Sequence, residues 1–217
     1  MSRLLLFGGG AAALMVAAIV WQSGRSSSSE TFFVGKTKPP EAAPVCPWRE
    51  PEADLKLFFP NASRYELENH PLSGSRIELA ERLGRALAPD ENLLPVYRIY
   101  GGTRPLGAVL TRRVKGTHGA IEVVIATDLR EQVSGLRLQR LREPEGVARA
   151  LENPEWLRSF HGKTAGSGWE IGRDLPEVPL EARASAAAIA EGARSALILL
   201  AGATRASSNA PVKAPHH

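Results

Sequence analysis

The sequence predicts an α+β fold, a mainly antiparallel sheet with flanking helices, preceded by one transmembrane helix. Three observations predict it. Residues 4–21 run from Leu4 to Trp21 without a charged side chain. At about 1.5 Å per residue a helix there covers about 27 Å, close to the roughly 30 Å of a hydrocarbon core. Short β-prone runs then come in neighbouring pairs with a turn between them, the habit of antiparallel hairpins. Helical spacing follows the strands instead of alternating with them, which separates α+β from α/β.

Taken in order, residues 1–3 are a short tail carrying Arg3, and residues 4–21 are the span. A cleaved signal peptide is the rival reading, and Val16-Ala17-Ala18 and Gln22-Ser23-Gly24 are poor cleavage sites for it. Trp21 suits an interfacial position. Gly8 with Ala12, and Gly9 with Ala13, place small residues four apart, a face that lets another helix approach closely. Arg25 follows the span, but Ser26 to Ser29 and Glu30 precede the next lysine, Lys36. That balance favours an inside N-terminus and an exported globular part.

Residues 22–45, with the serine run, Lys38-Pro39-Pro40 and Ala42-Ala43-Pro44, read as a flexible linker. Residues 46–203 form the domain, and residues 204–217, rich in Ser, Ala and Pro, a disordered tail. Within the domain, residues 55–59 open the fold and Pro60-Asn61 breaks the run. Residues 77–87 have helical spacing in Ile77, Leu79, Ala80, Leu83 and Leu87. Strands are expected at 95–100, 106–111, 120–127 and 134–141, with Gly101-Gly102 turning the first pair. Short helices are expected at 146–153 and 154–160, and a long alanine-rich one at 182–200.

Composition narrows function. The net charge is +4 and the pI about 9.5, with arginine spread through the chain, no lysine-rich run and few aromatics. Nucleic-acid binding is poorly supported. Cys46 is the single cysteine, so no internal disulfide, zinc cluster or iron–sulfur site can form. No nucleophile elbow, phosphate-binding loop, dinucleotide fingerprint or HExxH pattern occurs, and the chain is read as a non-enzyme. His70, His118 and His161 are scattered, and Glu143 with Glu145 reads as a solvated turn. Arg112, Arg113 and Lys115 precede one strand of the second hairpin and Arg137, Arg140 and Arg142 line its partner. They could share a face, either solvated or a docking face for a membrane complex or lipid headgroups.

The order of motifs resembles a known family. Phe58-Phe59-Pro60-Asn61-Ala62, the hairpin at 97–110 with Gly107, Lys115-Gly116-Thr117-His118-Gly119-Ala120-Ile121, the hairpin at 128–138, Glu143-Pro144-Glu145-Gly146 and Phe160-His161-Gly162-Lys163 stand in sequence. Together, over residues 55–200 and after a single span, they resemble the FMN-binding domain of the membrane-anchored subunits of Rnf and sodium-pumping NADH:quinone reductase complexes. The resemblance implies a bacterial inner-membrane protein, N-terminus cytoplasmic and domain periplasmic.

The likeness fails at the flavin. The family bonds FMN phosphate to a threonine in a Ser-Gly-Ala-Thr motif opening the last helix. Here the matching stretch is Leu180-Glu181-Ala182-Arg183, so Arg183 replaces the threonine and the glycine is gone. Arginine cannot form that ester, and Glu181 would repel a phosphate. The expectation is a domain without cofactor, serving as an accessory subunit of a respiratory or photosynthetic electron-transfer complex. Its partners would be integral membrane subunits and the bilayer. The alternative is a flavoprotein holding FMN non-covalently, with Arg183, Ser185, Glu143, Gly146 and His118 around it. A third reading puts another small molecule in the vacated pocket.

Overall fold

The structure, a computed structural model, describes residues 52–209. The span at 4–21, its small residues Gly8, Gly9, Ala12 and Ala13, the linker at 22–45 and Cys46 lie outside the described residues. The described residues belong to one compact unit.

A five-stranded antiparallel meander, in spatial order β1 to β5, is the frame. Its strands are β1 (Arg64–Pro71), β2 (Leu93–Gly101), β3 (Arg104–Lys115), β4 (Ala120–Thr127) and β5 (Val133–Leu141). Each strand pairs with its sequence neighbour; short turns join β2 to β5 in succession, while the connection 72–92 from β1 to β2 carries a helix. Gly102, at φ 63°, makes the β2–β3 turn. β4 is apolar at almost every position because both of its faces are covered.

Helices lie on both sides. α1 (Glu52–Phe58) crosses one face, and Leu55 packs there with Ile99, Val109, Val124 and Ala126. The other face carries α2 (Arg76–Leu83), α3 (Glu145–Leu151), α4 (Pro154–Arg158) and α5 (Arg183–Asn209). Two buried clusters share α5. One joins β4 and β5 to α3, α4 and Trp156, the other joins β2 and β3 to α2. Small residues allow the close approach of α5: a side chain on Gly192 would meet Val114 Cγ1 at 2.3 Å, and one on Gly202 would meet Leu79 Cδ2 at 2.6 Å.

Among the described residues one helix, Leu180–Ala206, is long and apolar enough to cross a membrane. Its apolar stretch is 72% buried within the fold, so packing on the sheet accounts for its composition. The last helix also runs past the expected boundary at 203, and residues 204–209 are helical instead of a disordered tail. The helix expected at 77–87 starts at Arg76 and stops at Leu83, because Gly84 takes a left-handed conformation at φ 73° and its N–H caps the last turn.

Candidate functional site

The loop after β3, the turn after β5 and the start of α5 converge on one carboxylate, Glu143. Its side chain is fully covered. Ser185, buried in the first turn of α5, donates its hydroxyl proton to Glu143 Oε1 at 2.7 Å. His118 Nδ1 lies 2.7 Å from Glu143 Oε2, and the His118 N–H reaches Oε1 at 3.4 Å. Ser185 Oγ in turn accepts the Thr117 N–H at 2.9 Å and lies 3.1 Å from Thr117 Oγ1. Gly116 is required here, since a side chain would meet Glu143 Oε1 at 2.1 Å.

Burial pushes the Glu143 carboxyl up, but hydrogen bonds from Ser185 and His118, with the His118 charge, outweigh it. The result lies below the ordinary carboxylate value. An ionised carboxylate at neutral pH has no proton to give, so Glu143 is no general acid there. The order of the groups is also wrong for nucleophilic catalysis, because the carboxylate stands between the hydroxyl and the imidazole and not behind the imidazole. What the cluster does is tie three chain segments together.

Of the five residues expected around a flavin, His118, Glu143 and Ser185 meet in this cluster, while Arg183 and Gly146 do not. Residues two apart on a helix diverge by about 200°, so Arg183 points away from Ser185. Half exposed, it faces Glu177 at 3.6 Å. It borders a hollow of about 290 Å³ beside Trp169, Glu170 and Glu191. Gly146 lines a separate surface cleft of about 490 Å³ between α3, α4 and Pro176–Pro179. His161 is exposed in the turn after α4, and His70 pairs with Glu68 at 2.9 Å.

The arginines divide by strand alternation. Arg113, Lys115, Arg137 and Arg140 lie on the face that carries α1. Arg113 lies 3.0 Å and Arg140 4.0 Å from the buried Glu122, while Arg137 reaches the buried Asp54 at 2.8 Å. Arg112 points to the opposite face, and there it joins Arg85 in binding the buried Glu91. Placing Arg112 with the others was an error of spacing, since neighbours in a strand cannot share a face. Asp54, Glu91, Glu122 and Thr117 were missed as organisers. Single carboxylates and hydroxyls carry no pattern until the topology brings their partners near.

Among the described residues, no group of three or more His, Cys, Asp and Glu side chains could hold a metal ion. Compared with known proteins, the chain matches no family model and no curated protein.

Proposed function

We propose that the chain is a single-span, membrane-anchored accessory subunit of a respiratory or photosynthetic electron-transfer complex. In this reading its exported domain has an FMN-binding-like fold that has given up the flavin and serves by shape and surface. The observation that carries the loss is the Glu143 cluster. The segments that resemble flavin-contacting motifs do come together, but their polar groups are spent on one another. A fully covered, ionised carboxylate occupies the junction, and it would repel a phosphate. Arg183, the stand-in for the phosphate-bearing threonine, faces Glu177 and lines a hollow shared with Glu170 and Glu191. The electron-transfer setting and the inner-membrane location rest on the order of sequence motifs and on the N-terminal apolar run.

The test is purification from native membranes in mild detergent, reading the absorption spectrum and the co-purifying subunits from one sample. The expected result is a colourless chain that stays with a large redox complex. A flavin spectrum that follows this chain, and is lost in Arg183→Ala, would overturn the proposal in favour of a flavoprotein.

A further inference from the structure

We infer that the sheet face carrying α1 is a contact surface for an anionic lipid bilayer. The inference rests on the reading of residues 4–21 as a membrane anchor. Its evidence is the composition of that face.

α1 covers only one end of the sheet. Phe59 lies over Gly107 and Phe58 over Gly135, while Asp54 reaches Arg137 and Gln139 further along β5. Strand pairing places Leu67, Tyr97, Pro95, Leu93 and Thr111 on the same face, with Tyr97 packed against the cluster beneath α1. Leu67 is 51% exposed, and Leu57, on the outward side of α1, is 60% exposed. Lone surface leucines need no explanation, but these share the side of the sheet that carries α1, beside a hollow of about 300 Å³ lined by Leu55, Lys56, Tyr65 and Ile99.

The exposed charges described on that face have one sign, although three of the five cations pair with buried acids beneath them. Lys56, Arg113, Lys115, Arg137 and Arg140 reach solvent. Its two described acids, Asp54 and Glu122, are buried beneath arginines. The acids of β1, Glu66 and Glu68, alternate onto the other face. Outward leucines among exposed cations, with no exposed acid among the described side chains, fit an interface with apolar depth and negative headgroups.

The experiment uses the full chain in nanodiscs of phosphatidylcholine, alone or with phosphatidylglycerol added. Cys46 is replaced by serine, and a nitroxide is attached at Leu57→Cys, at Leu67→Cys or, as a control from the far side of the sheet, at Leu180→Cys. Collision with oxygen is compared with collision with a water-soluble nickel chelate. In discs containing phosphatidylglycerol, the labels at 57 and 67 should report lipid and the label at 180 water. Lys56→Glu with Lys115→Glu, neither of which pairs with the buried acids, should reduce the lipid contact on the order of tenfold. Added salt should weaken it as well. Labels at 57 and 67 that stay aqueous in both kinds of disc overturn the inference while leaving the anchor standing. So does lipid contact indifferent to both lipid charge and the two lysines. Shielding seen only when an acidic protein is supplied assigns the face to a protein and also overturns it. A chain absent from every disc overturns the anchor, and this inference with it.

Discussion

At the scale of single residues, the fold buries a few acids, Asp54, Glu91 and Glu122, beneath arginines that reach the surface. Glu91 is the clearest case. Arg85 donates to both of its oxygens at 2.7 and 2.9 Å, the Ala88 N–H donates at 2.8 Å, and Arg112 closes the site. The Arg85 bonds lead in holding its pKa down to about 2 from 4.5, against burial, which pushes it up. A carboxylate depressed on folding stabilises the native state above its unfolded value and stops doing so as pH falls through its folded value. The window is therefore about pH 4.5 down to about 2, and the contribution is on the order of 3 kcal/mol at neutral pH. Urea unfolding of Glu91→Gln should show that deficit at neutral pH, and the gap to wild type should close across the window. A gap that stays constant with pH would refute the ionic origin. Glu143 is also depressed, so some acid sensitivity should remain in the variant.

At the scale of elements, close contacts rest on particular glycines. A side chain at Gly107 would meet the Thr127 carbonyl oxygen at 2.1 Å and the Phe59 ring at 2.9 Å. Backbone cannot yield as a flexible side chain can, so Gly107→Ala should cost roughly 1–3 kcal/mol in a thermal melt and loosen α1 from the sheet. Gly74, with nothing within 4 Å, is the control, and alanine there should be close to neutral. Elements buried on both faces were legible in the sequence. The expected strand at 120–127 matches β4 at both ends, because Ile121 to Ala126 admits no other reading. β1 was not legible. Its Tyr65 and Leu67 alternate with Arg64, Glu66 and Glu68, but as an edge strand it is mostly exposed and its polar residues hide the pattern. Ile77 was counted with Leu79 and Leu83 in the helical spacing, yet it is exposed while those two are buried. The helix begins at Arg76, so Ile77 falls in its open first turn. The Glu143 cluster was half legible. Its residues stood out through family resemblance, but the bond from Ser185 spans 42 positions and no local spacing encodes it.

At the scale of the whole molecule, α5 decides whether there is one cooperative unit or two. The two buried clusters on its side of the sheet lie over different strands, yet both use its consecutive residues, Leu197 in one and Ile198, Leu199 and Leu200 in the other. A helix cannot release one side chain's partners and keep its neighbour's without breaking its own ladder, so the clusters should unfold together. Leu79 tests this, because it is fully buried in the cluster of α2, β2 and β3. Trp156 and Trp169 report the other cluster. With Trp21 and Trp48 replaced by phenylalanine, Leu79→Ala should lose about 2–5 kcal/mol by tryptophan fluorescence in denaturant. Far-UV circular dichroism should give the same midpoint. If the fluorescence midpoint stayed at the parent value while the dichroism split into two steps, α5 would be a seam between two units. The α1 face would then be the surface of a hinged body and not of a rigid one.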